Sequence, residues 1–267
     1  MVRRAMASFW QRLFGGASAD AAPIAAASVP ATLALLGADM HSHLLPGLDD
    51  GAETVAHSLD LLRALRTLGY RKLVMTPHIM GDFYKNTPEG IRAALALLRT
   101  EAAAAGLGDV ELDCAAEYYL DEFLGRKLAD GTEMLTFGGD KRYLLFETSY
   151  MNEPLNFYEV VFEMKAQGYR PVLAHPERYT YLYGRFAELE KMRREYDILL
   201  QVNLNSLAGY YSPAAKKVAE QLVDGGLVDF VGTDAHHLRH TDTLLKRTLP
   251  QPHLEKLLKL PLLNNTL

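Results

Sequence analysis

The chain has 267 residues, 49% of them hydrophobic, a formal net charge of −5 and one cysteine. That is enough apolar material for a sizeable core, in one α/β barrel or two smaller domains, and the acidic balance argues against a nucleic-acid backbone as main partner. The lone cysteine excludes an internal disulfide and fits a reducing, cytoplasmic compartment, and no run of about 18 apolar residues offers a transmembrane segment.

Residues 1–36 are Ala-rich, with turn-prone residues from Gly15 to Pro30. They read as an N-terminal extension, either mobile or a short amphipathic helix with Phe9, Trp10, Leu13 and Phe14 on one face. A peripheral membrane or partner contact through this segment stays open. Residues 37–267 read as one domain. Strand-like runs occur at 37–42, 72–76, 110–116, 143–147, 171–174, 198–204 and 228–232. Helical patterns lie between them at 53–68, 87–105, 120–129, 155–167, 185–195 and 213–225, with a last one at 252–260. Repeated β-then-α order predicts a parallel sheet with helices outside, and seven such units favour a closed or nearly closed barrel.

Functional side chains of such barrels gather where strands end. The first run carries Asp39, His41 and His43 on one strand face, two residues apart, with Asp49-Asp50-Gly51 beyond. Later runs end in Thr76-Pro77-His78, in Ala116-Glu117-Tyr118 and in His175-Pro176-Glu177-Arg178. The sixth offers Asn203 and Asn205, and the seventh ends in Thr233-Asp234-Ala235-His236. Singly, each has an ordinary explanation as a turn, a helix cap or a core ion pair. Their recurrence at most of the strand ends points to a multinuclear metal site. Nitrogen and carboxylate donors without thiolate suit manganese, iron or zinc, and the donors suffice for two or three ions. Paired ions activate water and stabilise an in-line displacement at phosphorus.

Arg178 and Arg239 each follow a candidate ligand by three residues, where a guanidinium binds phosphate through two hydrogen bonds. Tyrosines and Phe83 crowd the same loops and suit an aryl ester, although tyrosines also populate ordinary rims. A cysteine-based phosphatase is excluded, because Cys114 has Leu120 where that motif needs arginine. No Gly-x-Ser-x-Gly elbow or Walker loop is present.

The set Asp39-Met-His41-Ser-His43, Asp49-Asp50-Gly51, Thr76-Pro-His78, Glu117, His175-Pro-Glu-Arg178 and Asp234-Ala-His236 resembles the polymerase-and-histidinol-phosphatase (PHP) superfamily. More narrowly it resembles the bacterial tyrosine phosphatases of capsule and exopolysaccharide clusters. The likeness runs from about residue 37 to about 245. It implies a distorted (β/α)7 TIM-like barrel and a three-ion site preferring manganese, with iron, zinc or magnesium as alternatives. His41, His43, Glu117 and Asp234 would hold one ion. Glu117 would bridge to a second ion bound by His175, and Asp50, His78 and His236 would surround a third. Arg178 and Arg239 would hold the phosphate, and His236 or water would serve as general acid. The implied partner is a phosphotyrosine protein, a tyrosine kinase controlling polysaccharide export.

The expected reaction is in-line attack on phosphotyrosine by metal-activated hydroxide, without a covalent phosphoenzyme. One alternative is a PHP-type phosphatase for a small phosphomonoester such as histidinol phosphate. The other is a non-catalytic, metal-stabilised module that binds a kinase. Association into homo-oligomers stays open.

Overall fold

The computed structural model describes residues 33–246, 249 and 251–267. The Phe9, Trp10, Leu13 and Phe14 expectation therefore lies outside the described residues. Residues 33–36, which the sequence groups with the N-terminal extension, form a 3-10 turn whose Leu33 and Leu36 are buried in the main core.

The strands are β1 (Ala38–Asp39), β2 (Lys72–Met75), β3 (His78–Ile79), β4 (Glu111–Cys114), β5 (Glu117–Tyr119), β6 (Tyr143–Glu147), β7 (Arg170–Ala174), β8 (Leu199–Asn203) and β9 (Phe230–Gly232). All ladders are parallel. One sheet runs β1-β2-β4 and the other β3-β5-β6-β7-β8-β9. Two predicted strands are each split in two. Pro77, which has no N–H for a ladder, separates β2 from β3, and Ala115-Ala116 separates β4 from β5. Backbone bonds nevertheless run across the breaks: Ala115 N donates to Met75 O (2.9 Å) and Glu117 N to Pro77 O (3.1 Å). The seven predicted units thus follow one another around a distorted TIM-like barrel.

The ring closes without a β1–β9 ladder. At its base Asn264 donates to the carbonyls of Ala38 (2.9 Å) and Val231 (2.7 Å) and accepts from Val231 N–H (2.9 Å). Higher up, Thr233 donates to Asp39 through N–H (2.9 Å) and Oγ1 (2.6 Å). At the top a parallel bridge joins Ser42 to Ala235. Asp39, on the same face as the two histidines in sequence terms, is thus a seam residue. Burial pushes its carboxyl up to about 6 despite the Thr233 hydrogen bonds.

The helices are α1 (Val55–Thr67), α2 (Pro88–Ala104), α3 (Glu122–Ala129), α4 (Phe157–Ala166), α5 (Phe186–Arg194), α6 (Leu204–Leu207), α7 (Pro213–Asp224), α8 (Leu238–Lys246) and α9 (Gln251–Leu257). Thr54, Thr87, Asp121 and Ser212 cap α1, α2, α3 and α7 through their side-chain oxygens, each contributing about 1 kcal/mol. Strand alternation divides the core. Leu145 and Val172 join Met40, Val74, Leu199 and Phe230 in an inner cluster, while Leu144, Phe146 and Leu173 face the helix layer. Burying each such side chain contributes roughly 1.5–3 kcal/mol, and this packing holds the strand ends rigid. Among the described residues no helix is long and apolar enough to cross a membrane.

Candidate metal centre

The first strand delivers His41 and His43 to the barrel mouth fully buried, with their Nε2 atoms 3.3 Å apart. Each ring is held from behind. Gln201 Oε1 lies 2.8 Å from His41 Nδ1, and Asp49 Oδ2 lies 2.8 Å from His43 Nδ1. An acceptor at Nδ1 leaves the Nε2 lone pair facing the site, the arrangement a metal-binding imidazole needs. The Asp49-Asp50-Gly51 loop reaches this position because it lies directly on His43. A Cβ at Gly51 would meet the His43 carbonyl oxygen at 2.1 Å.

Glu117 occupies the middle. Its Oε2 lies 3.2 Å from His41 Nε2, 3.4 Å from His43 Nε2 and 3.1 Å from His78 Nδ1. Its Oε1 is 3.1 Å from His175 Nε2. Glu117 Oε2 and His78 Nδ1 are buried, yet neither finds a hydrogen-bond partner of proper geometry. Donor atoms converging without satisfying one another fit a divalent cation better than a hydrogen-bonded core.

Asp234 ends the seventh strand in the left-handed region (φ +50°), as His175 does after β7 (φ +34°). Both are residues that visit this region at a cost, and the strain coincides with the cluster. The Asp234 carboxylate divides its work. Oδ1 lies 3.4 Å from His41 Nε2 and 3.5 Å from His43 Nε2, while Oδ2 accepts from Arg178 (2.7 Å) and Asn203 (2.9 Å). His236 Nδ1 lies 3.0 Å from the Asp234 carbonyl, and its Nε2 is 3.5 Å from Asp50 Oδ1.

Among the described residues, four overlapping groups have ligand atoms close enough to share an ion. They are His43, Asp50, His78 and His236; His41, His43 and Asp234; His41, Glu117 and His175; and His78, Glu117 and Glu147. All eight residues proposed as ligands from the sequence fall in these groups. Glu147 is the addition. It ends β6, where the sequence reading draws no candidate, and the strand-end rule applied there finds it. Arg178 stands beside Asp234 with its guanidinium between the rings of Tyr150 (4.7 Å) and Tyr211 (4.1 Å). Arg239 is exposed on the first turn of α8, outside the four groups. Of the tyrosines noted in the loops, Tyr118 and Tyr179 are core residues whose hydroxyls accept backbone N–H groups. Tyr84 stacks on His78 and Tyr150 on His175.

Residues 37–251 match the model of the family described as capsular polysaccharide synthesis, CpsB/CapC. The chain belongs to this family. The CpsB/CapC relatives include tyrosine-protein phosphatase YwqE of Bacillus subtilis, 29% identical over 206 residues that cover 75% of this chain and 78% of that protein. Tyrosine-protein phosphatase CpsB of Streptococcus pneumoniae is 30% identical over 208 residues, covering 75% and 83%. A solved structure presented with YwqE from Bacillus subtilis and CpsB from Streptococcus pneumoniae as "unique metal-dependent tyrosine phosphatases" superimposes with a TM-score of 0.70 at 27% identity. It covers 84% of this chain and 96% of that one. An amidohydrolase from Mycoplasma synoviae, 13% identical with a TM-score of 0.52 over 88% of each chain, shares the fold alone. The CpsB/CapC assignment accords with the TIM-like barrel expected from the sequence.

Proposed function

We propose that this chain is a metal-dependent protein-tyrosine phosphatase acting in the cytoplasm on a bacterial tyrosine kinase that regulates capsular or exopolysaccharide synthesis. The observation that carries the reading is the convergence of four His/carboxylate groups on Glu117, with Arg178 at their edge, in a CpsB/CapC chain. The names borne by the relatives support the phosphotyrosine substrate.

In this reading His41, His43, Glu117 and Asp234 would hold one ion, Glu117 and His175 a second, and Asp50, His78 and His236 a third, with manganese preferred. Glu147 joins Glu117 and His78. Bound ions supply a nucleophilic water at neutral pH and offset charge on the phosphoryl oxygens. Arg178, always charged and stacked between two tyrosines, orients the phosphate by a two-pronged hydrogen bond. Arg239, exposed on the first turn of α8, is the second guanidinium proposed for the phosphate. The leaving phenolate has a pKa near that of tyrosine and needs little protonation, which His236 or water supplies.

The deciding experiment compares kcat/KM on a phosphotyrosyl peptide and on histidinol phosphate, under manganese and after chelation. Preference for the peptide, lost with EDTA and in the His41→Ala/His43→Ala double variant, is expected. Preference for histidinol phosphate would replace the substrate, and turnover that survives both treatments would remove the metal from the reaction. Arg178→Lys keeps the charge but not the planar fork. It lowers kcat/KM about 10²-fold, roughly 2.7 kcal/mol. An unchanged value in steady-state kinetics would take Arg178 out of phosphate binding.

A further inference from the structure

β8 contributes no candidate ligand, yet two of its side chains, Gln201 and Asn203, are fully buried against the centre. Their hydrogen bonds form a chain whose direction is fixed at one end. Asp234 Oδ2 is a carboxylate oxygen and only accepts, so the Asn203 group 2.9 Å away is its Nδ2. Asn203 Oδ1 then faces Gln201 and accepts from Gln201 Nε2 at 2.8 Å. That leaves Gln201 Oε1 turned toward His41 Nδ1 (2.8 Å) and the His175 backbone N–H (3.3 Å). A carbonyl oxygen at this distance requires that Nδ1 of His41 carry the proton.

We propose that Gln201 and Asn203 are positioning residues that fix the donor atoms of the metal centre. Gln201 holds the proton of His41 on Nδ1, so that Nε2 is the nitrogen turned toward Glu117 and Asp234, and it ties down the backbone of His175. Asn203 holds Asp234 Oδ2, so that Oδ1 is the oxygen presented to the histidines. One amide-to-amide link thus sets two ligands that lie at opposite ends of the barrel sequence. Packing supports the same role. A Cβ at Gly232 would lie 2.7 Å from His41 Cβ and 3.0 Å from Gln201 Nε2, so the pair has room only because residue 232 has no side chain. The inference rests on the metal-dependent reading above.

The test uses the full chain, with manganese affinity measured by equilibrium dialysis for the native protein, Gln201→Leu and Gln201→Glu. Leucine removes the acceptor, and Kd for manganese rises about 10- to 100-fold. Glutamate keeps an acceptor at His41 Nδ1 but sets its second oxygen against Asn203 Oδ1, so it weakens binding less than leucine does. Native affinity in Gln201→Leu, or equal weakening in both variants, overturns the proposal. Should Gln201→Leu fail to fold, histidine ¹⁵N spectra of the native zinc-loaded chain decide. His41 protonated at Nδ1 supports the relay, and protonation at Nε2 overturns it. A native chain that binds neither manganese nor zinc overturns the metal-dependent reading itself, an outcome distinct from failure of the relay.

Discussion

Glu117→Gln lowers kcat/KM on a phosphotyrosyl peptide by about 10³-fold or more, ~4 kcal/mol of transition-state stabilisation. The size follows from position. Glu117 is fully buried and, among the described residues, is the only one in contact range of His41, His43, His78 and His175 together. Burial opposes its ionisation, but the surrounding imidazoles, His41 and His78 foremost, hold the carboxyl well below its usual range. Glutamine nearly preserves shape while replacing an anionic oxygen by a neutral amide. The loss is therefore in charge and coordination rather than packing. The measurement pairs steady-state kinetics under manganese with the metal content of the purified chain. Activity within tenfold of native, at native metal content, would show that Glu117 does not hold the ions together.

The metal-free chain loses stability as pH rises from 6 to 9, and manganese removes that loss. Burial opposes charging of His41, but Glu117 and Asp234 outweigh it and push it up to about 9. His236, also buried, is pushed up to about 10 by Asp50 and Asp234. Unfolded, both return to about 6.5. A raised imidazole stabilises the fold fully below the unfolded value, and that stability drains away as pH climbs through the folded one. For His41 alone the difference is on the order of 3 kcal/mol. The carboxylates act in the opposite direction. Glu117 and Asp234, held low, contribute above their ordinary pKa and lose that contribution as pH falls through their depressed folded values. The metal-free optimum therefore lies between about 4.5 and 6.5. Bound ions replace the protons on the imidazoles, so binding releases protons and tightens with pH. Melting curves from pH 6 to 9, in EDTA and in manganese, check both halves. A flat profile in EDTA would mean that the metal-free histidines are not held charged.

Much of this architecture is visible in the order of residues, for identifiable reasons. β6, β7 and β8 are continuous apolar runs because both of their faces are covered, and they fall where expected to within a residue or so. Eight ligand candidates were legible because histidines and carboxylates at strand ends are rare company for apolar runs. α8 was not, since its buried face consists of His240, Thr241, Thr243 and Leu244, and three polar residues of four give no apolar period. Gln201 was not, because an inward-facing glutamine in an apolar strand signals nothing until its neighbours are known. Tyr211 gives no signal in the sequence because it lies after α6, away from any strand end, and reaches Arg178 only through the fold.

The barrel seam has a temporal meaning. Asp39 meets Thr233 across a sequence separation of 194, and Asn264 meets Ala38 across 226. Contacts so distant along the chain form late, because closing long loops must precede any gain from them. His41 and Asp234 face each other across this same seam. During synthesis, then, the first strand emerges carrying two exposed imidazoles long before the acid that completes their site. At that stage the nascent chain carries two of the four residues proposed for the first ion. In an incompletely made or unclosed barrel His41 and His43 therefore lack Asp234, whatever else of the cluster has assembled.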